Sequence, residues 1–399
     1  MLHYPYLIVG GGMAADAAVR GIRAVDPHSS IGIISAEFDP PYKRPPLSKK
    51  LWAGKPLASV WLNASTQGAD IHLGRSVRAL NLCCKQVIDA RGTSYGFDKL
   101  LLATGVRPRR LPVGGDRVIS FRTLDDYRRL RGLADHGDRL AVIGGGFIGS
   151  EIAAALATNG KQVIHLFPGD AIGDRLFPRD LARFVTDAYR EQGVEVLPRH
   201  TVVDLEERTG GVILRARNAH TGQVRELAVD GVVAGIGTEP NVELAAAAGL
   251  QVDGGIVVDE VLRTSHPDVY AAGDVASFYA PALGARRRVE HEDNAKTMGR
   301  LAGQAMAGEP TPYHHLPFFY SDLFDLGYEA VGDVNPRLET VADWVEPYRE
   351  GVIYYLRGER VRGVLLWNVW DQVEAARQLI SNPSPFRPLD LAGRLPMAS

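Results

Sequence analysis

At 399 residues the chain exceeds what one hydrophobic core ordinarily serves, so two or three domains are expected. Hydrophobic residues at 45% and charged residues at 23% match a globular composition and exclude a disordered or fibrous chain. A formal net charge of −2 gives no general attraction to nucleic acid or to an anionic membrane surface.

The only cysteines, Cys83 and Cys84, are adjacent. Without a C-x-x-C there is no dithiol relay, and there is no extracellular disulfide framework. No apolar run approaches the roughly 18 residues that a bilayer span requires. The N-terminus enters a strand without a basic leader, which leads to the expectation of a cytoplasmic protein. Eleven histidines show no metal-ligand spacing, so no metal site is expected.

Tyr6–Val9 reads as a short strand that runs into Gly10-Gly11-Gly12-Met13-Ala14-Ala15. Gly10, Gly12 and Ala15 fit the G-x-G-x-x-G/A fingerprint, whose bare backbone faces a pyrophosphate at the start of a helix. The helix is Ala14–Val25, and a second strand, Ile31–Ile34, ends near Glu37. A carboxylate there suits the ribose hydroxyls of an adenine nucleotide; Asp39 is the next choice. Pro40–Lys49 carries four prolines and forms a stiff loop presenting Arg44 and Lys49. Strands at Val77–Leu80, Gln86–Asp89 and Asp98–Leu102 follow, with Gly92–Gly96 as a turn. Ala103-Thr104-Gly105 ends the last strand with small residues that admit a cofactor.

Leu124–Leu133 is a helix. Leu140–Ile143 then meets a second fingerprint, Gly144, Gly146 and Gly149, with Phe147, Ile148 and Glu151 opening the helix Ser150–Gly160. The strand Val163–Phe167 leads to Asp170, a ribose acceptor that favours NADH; Arg175 and Arg179 would instead suit a 2′-phosphate. A helix at Leu181–Gln192 is followed by strands at Val194–Leu197, Val202–Glu206, Val212–Ala216 and Arg225–Val229. Gly231–Gly237 returns as strand and turn. Tyr270-Ala271-Ala272-Gly273-Asp274 places a carboxylate at a strand end, where a ribitol hydroxyl can donate to it. Glu290–Ala307 is a helix with small residues at Ala295 and Gly299. Past Pro310 come an aromatic segment, strands at Tyr328–Val331, Val352–Leu356 and Val361–Trp367, and a helix at Ala375–Ile380. Ser381–Ser399 reads as a loose tail.

In order, P-P-Y-K-R-P-P-L-S-K at Pro40–Lys49, G-G-G-F-I-G-S-E at Gly144–Glu151, Y-A-A-G-D at Tyr270–Asp274 and Y-S-D-L-F-D-L-G-Y-E-A-V-G at Tyr320–Gly332 resemble the two-dinucleotide flavoprotein reductases. The similarity is to the ferredoxin-reductase-like group that includes apoptosis-inducing factor. The resemblance implies an α/β fold of two Rossmann-like, glutathione-reductase-type domains and a small α+β C-terminal domain. The FAD domain is 1–113 and 231–309, the inserted NAD(P)H domain is 114–230, the C-terminal domain is 310–380, and 381–399 is the tail.

The resemblance further implies FAD at Gly10, Gly12, Ala15, Glu37, Arg44, Lys49, Ala103, Thr104, Gly105, Gly273, Asp274, Glu290, His291, Glu292, Ala295 and Tyr320. NAD(P)H, with NADH favoured, would take Gly144, Gly146, Phe147, Ile148, Gly149, Glu151, Asp170 and Gly237. Lys49 and Glu151 would form a catalytic pair beside the flavin. Glu292 and Tyr320 stand where relatives carry other residues. The implied function is hydride transfer from NAD(P)H to FAD and on to a ferredoxin- or rubredoxin-type protein, which Arg286-Arg287-Arg288 would steer. The alternative is a redox-responsive scaffold, like apoptosis-inducing factor, with NADH-dependent dimerisation; the chain would be a monomer or homodimer.

Overall fold

The computed structural model describes residues 2–112 and 115–395. They form two compact units. One comprises residues up to Arg44, Leu57–Arg107 and Glu239–Pro317; the other comprises Pro45–Pro56, Pro108–Thr238 and the chain from Phe318 onward. The expected boundary at 113/114 and the last four residues of the tail lie outside the described residues.

In the first unit, strands Ala69–His72, Ile31–Ile34, Leu2–Val9 and Ser94–Leu102 lie side by side in parallel. Val269–Ala271 adds in parallel beyond Ser94–Leu102. Such strands are covered on both faces and therefore read as unbroken apolar runs; all four residues of Ile31–Ile34 are buried. The register aligns Val9 with both Ile34 and Leu102, and Leu102 with Ala271. The strand ends therefore lie level, and Gly10, Ser35, Ala103 and Ala272 leave from one edge. The helices Met13–Val25 and Glu292–Met306 cross in close contact. A Cβ on Gly299 would sit 2.2 Å from the Ala14 carbonyl oxygen, and one on Gly303 2.2 Å from that of Ala18.

The second unit repeats the theme. Glu195–Pro198, Gln162–Phe167, Arg139–Ile143, Gly231–Ala234 and Val118–Ser120 form a wholly parallel sheet in that order. An antiparallel sheet of His200–Arg208, Gly211–Asn218 and Val224–Val229 shares its core, with Ile164 and Leu166 packed among Leu205, Leu214 and Leu227. The third sheet is antiparallel, in the order Phe318–Leu323, Leu326–Gly332, Arg360–Trp367, Glu350–Arg357, Glu339–Glu346, and is followed by the helix Val373–Ser381.

Several expectations are corrected. The strand ending at Leu102 starts at Ser94, within the expected Gly92–Gly96 turn, because Gln86–Ile88 pairs with Ser94–Gly96. The expected Glu290–Ala307 helix begins only at Glu292. Strands Phe318–Leu323 and Glu339–Glu346 were not anticipated. The C-terminal stretch is docked through Leu395: Phe386, Leu391 and Leu395 are buried, and the Leu395 amide donates to the Tyr354 hydroxyl at 3.3 Å. Among the described residues no helix is long and apolar enough to cross a membrane.

Candidate functional site

In the first unit the glycine loop has the form a phosphate cradle needs. Gly10 has φ +120°, and a Cβ there would lie 2.0 Å from the Ala103 carbonyl oxygen, so only glycine fits. Gly12 caps the helix without any side-chain cap, and a Cβ on it would meet nothing within 4 Å. The helix N-terminus is thus left open beside the sheet edge, which suits an anionic group. Ala15 is fully buried, the packing role expected of the third position.

Around that loop, Thr104 donates to the Asn241 carbonyl at 2.9 Å, and the Asn241 amide donates back at 2.7 Å, fixing the turn at Ala103–Gly105. Gly273 has φ +79° and approaches Ala14 and Ala295 so closely that a Cβ would lie 3.1 Å from Ala14 Cβ. Asp274 lies in the following one-turn helix, Gly273–Val275. Glu37 accepts from the Tyr42 hydroxyl at 2.6 Å and from Arg44 at 2.5 Å. Burial disfavours the Arg44 cation, but the charges of Tyr42, Glu37 and Asp274 outweigh it and raise its pKa.

His291 precedes the helix as its N-cap, and burial pushes its pKa down to about 4 against the pull of Asp274, Glu290 and Asp293. Glu290 pairs with Arg288 at 2.8 Å, and Glu292 pairs with Lys296 one turn along. The arginine triplet is largely tied down locally. Arg286 donates to the carbonyls of Val258 and Ser277, and Arg288 to that of Asp274. Arg286 stays exposed while making these contacts.

The second unit carries the other loop. Gly144, at φ +116°, would place a Cβ 2.3 Å from the Gly235 carbonyl oxygen, and Gly149 would place one 1.9 Å from that of Gly144. Gly146 caps the helix Phe147–Thr158 without a side-chain cap and again faces open space. Below the loop, the wholly buried His165 donates from Nε2 to the Gly144 carbonyl at 2.9 Å. Ile148 is half-buried, while Phe147 stands exposed, edge-on to Phe319 at 5.0 Å. Gly237 has φ +97°, and a Cβ there would meet Arg109 Cδ at 3.9 Å.

Glu151, on that helix, is the centre of a polar cluster. Lys49 Nζ lies 3.0 Å from its Oε1, and both side chains are nearly inaccessible, at 8% and 7%. Ser48 donates to Oε2 at 2.5 Å and Ser321 to Oε1 at 2.6 Å. Lys49 also donates to the Tyr320 carbonyl at 3.2 Å and stands 4.0 Å over the Tyr320 ring. The Trp52 indole fixes this segment by donating to the Leu47 carbonyl at 2.9 Å. A buried charge needs such partners, since desolvation penalises it otherwise. Nearby, burial and then the Glu151 charge drive the Tyr189 and Tyr328 phenols well above their ordinary pKa.

The structure thus brings Lys49, Glu151 and Tyr320 together, and aligns each glycine loop with the strand ends around it. Asp170 is different: its carboxylate is engaged by Arg199 at 2.6 Å. Ser48, Ser321, His165 and Arg199 were not singled out in the sequence. Ser48 lay inside a recognised motif; Ser321 reaches Glu151 across 170 positions, which no local pattern encodes.

Residues 4–299 match the family model for pyridine nucleotide-disulphide oxidoreductases. Residues 302–347 and 343–382 match that for the mitochondrion-associated C-terminal region of apoptosis-inducing factor. Putidaredoxin reductase of Pseudomonas putida is 33% identical over 96% of this chain and 93% of its own length. A putative mitochondrial apoptosis-inducing factor 1 of Drosophila melanogaster is 31% identical over 98% of this chain, which spans only 65% of that protein. In the crystal structure of the covalent putidaredoxin reductase–putidaredoxin complex, the matching chain superposes with a TM-score of 0.88. It is 32% identical, covering 98% of this chain and 96% of that one. Both open glycine cradles suit the FAD and NAD(H) of such enzymes. The chain belongs to the pyridine nucleotide-disulphide oxidoreductase family, as an FAD- and NAD(H)-dependent oxidoreductase of its ferredoxin-reductase-like, apoptosis-inducing-factor-like branch.

Proposed function

We propose that this enzyme takes hydride from NADH and passes the electrons to a ferredoxin- or rubredoxin-type protein in the cytoplasm. In this reading FAD is held by a domain of residues 1–113 and 231–309, NADH by 114–230, and 310–380 forms a separate C-terminal domain. The observation that carries it is the buried Lys49–Glu151 pair, clamped by Ser48 and Ser321. Bound FAD would supply the conversion of a two-electron hydride into electrons released singly. Lys49 holds a fixed positive charge that favours the reduced, more negative cofactor, and Glu151 keeps that ammonium in place. Gly10 and Gly12, with Asp274, would hold FAD; Gly144, Gly146 and Gly149 would hold the nucleotide. The iron–sulfur partner is supported by the putidaredoxin reductase relative and by the solved complex of that enzyme.

The test is NADH-driven reduction of a purified ferredoxin, followed by its visible bleaching. Saturable reduction supports the reading; reduction of artificial dyes alone, with no ferredoxin turnover, rejects it. A second reading, an NADH-responsive scaffold, is favoured by the apoptosis-inducing-factor match at the C-terminal end. Sedimentation with and without NADH separates the two, since the scaffold alone changes mass.

A further inference from the structure

Beneath the second glycine loop lies a polar side chain among apolar and aromatic neighbours. His165 sits in the strand Gln162–Phe167, opposite Val142 on one side and Val196 on the other. It is wholly buried, and the rings of Phe167 and Tyr189 flank it at 5.0 Å and 6.0 Å. Packing alone does not call for an imidazole here. Leu166 pairs with Ile143 just before Gly144, as Ile34 pairs with Val9 just before Gly10. The first unit therefore has Ile33 at the position of His165, and that isoleucine is fully buried too. Burying a polar ring where a hydrocarbon would fit costs desolvation, so what His165 adds is its hydrogen bond.

That bond runs from Nε2 to the Gly144 carbonyl at 2.9 Å. A carbonyl only accepts, so the ring proton is on Nε2, and Nδ1, which has no hydrogen-bond partner, is bare. Burial, which lowers the pKa to about 4, keeps the ring in this neutral form. In a trans peptide the C=O and the following N–H point in opposite directions, and among the described residues no peptide bond is cis. Drawing the Gly144 oxygen toward His165 thus turns the Gly145 amide away from the buried ring. Gly144 is buried, Gly145 half-buried and Gly146 exposed, so the amide turns to the open side of the loop. The Gly145 carbonyl is anchored in turn by the Gly173 amide at 3.0 Å, which orients the Gly146 amide in the same manner. Such anchors matter because three successive glycines offer little resistance to a peptide flip. A flipped Gly144–Gly145 peptide would present an oxygen, not an N–H, to an anion at the start of the helix Phe147–Thr158.

Building on the assignment of this loop to NAD(H), we propose that His165 is a positioning residue for the coenzyme, its Nε2 proton holding the Gly144–Gly145 peptide with the Gly145 amide toward the pyrophosphate. Acting through backbone, His165 sets the affinity for the coenzyme and not the rate of hydride transfer.

The test compares His165→Leu, which keeps a buried side chain but no donor, with His165→Gln, whose amide N–H can take the place of Nε2. Binding of ADP-ribose to the FAD-loaded enzyme is measured by calorimetry, and flavin reduction by NADH in stopped flow. His165→Leu should weaken ADP-ribose binding about tenfold and raise the NADH concentration for half-maximal reduction equally, with the limiting rate within a factor of about two. His165→Gln should restore both to within about threefold of wild type. Unchanged affinity in His165→Leu, or equal weakening in the two variants, overturns the positioning role alone. In wild-type enzyme labelled with 15N-histidine, a buried imidazole protonated only at Nε2 is expected, with its proton resonance moving when ADP-ribose binds. Protonation at Nδ1 instead, or a resonance indifferent to ADP-ribose, overturns the role whether or not the leucine variant folds. Failure of the wild-type protein to bind ADP-ribose overturns the nucleotide assignment on which the proposal rests.

Discussion

Glu151 is a carboxylate removed from water and compensated by three donors, Lys49, Ser48 and Ser321. Removing one member of a buried ion pair strands the other, at a cost of about 3–5 kcal/mol. Lys49→Met and Glu151→Gln should each lower the unfolding free energy by about 3 kcal/mol and slow flavin reduction by NADH while FAD stays bound. Ser321→Ala removes a hydroxyl bonded to a charge and should cost about 1–2 kcal/mol. The double variant of Lys49 and Glu151 should lose less than the sum of the singles, because no orphaned charge remains. Strictly additive losses in urea unfolding would show that the two do not act as a pair.

His165 gives a pH signature. Burial lowers its pKa from 6.5 to about 4, and its Nδ1 has no hydrogen-bond partner. The folded state therefore holds it neutral, while the unfolded state takes up a proton below about pH 6.5. The sign follows: more protons bind the unfolded chain in that window, so stability falls as pH drops from about 6.5 to about 4, by up to roughly 3 kcal/mol. His165→Gln should flatten that part of the stability profile in denaturant titrations. An unchanged slope would place the proton uptake elsewhere.

Among the elements, the crossing of Met13–Val25 with Glu292–Met306 shows one residue type acting in opposite ways. Gly→Ala in a helix ordinarily stabilises by about 1 kcal/mol. At Gly299 and Gly303 the added methyl would meet a backbone carbonyl at 2.2 Å, which cannot rotate away, so overpacking of about 1–3 kcal/mol should win. At Gly132, inside the helix Leu124–His136, an added Cβ would meet nothing within 4 Å, and there the propensity gain should stand. Thermal unfolding of Gly299→Ala against Gly132→Ala should therefore shift in opposite directions. Two shifts of the same sign would refute the crossing argument.

Elements were legible in the sequence where local chemistry determines them. Both glycine loops and their flanking strands follow from apolar runs that meet residues able to adopt positive φ, as Gly10 and Gly144 do. The strand Phe318–Leu323 was hidden because Phe318, Phe319 and Tyr320 are all half-buried, which leaves no alternation to read. Docking of the C-terminal stretch depends on Phe386, Leu391 and Leu395, whose irregular spacing has no period. Of the Glu151 cluster, the motif supplied Lys49, but the hydroxyl of Ser321 is brought in by the tertiary fold. Arg199 was missed for the same reason, since its pairing with Asp170 spans 29 positions.

For the molecule as a whole, the family relationship poses a question about the path of electrons. The matching family model is named for disulphide oxidoreductases, and a dithiol relay in such an enzyme needs two cysteines with access to the flavin. This chain has only Cys83 and Cys84. Both are free and exposed, in the turn between strands Val77–Asn81 and Gln86–Asp89. Adjacent residues in a hairpin turn are poorly placed to open and close a disulfide, whose geometry is specific. Electrons that arrive as hydride must then leave the flavin directly for the acceptor, and the thiols should be dispensable. Replacing both cysteines by serine should leave NADH-driven acceptor reduction within a factor of about two of wild type, well inside the tenfold change that about 1.4 kcal/mol represents. The same should hold after alkylation of the native enzyme. A tenfold or greater loss in the serine variant, with FAD content unchanged, would mean that a thiol carries electrons after all. In that case the assignment to direct flavin-to-acceptor transfer would fail, while the two nucleotide cradles, built from backbone and glycine, would stand.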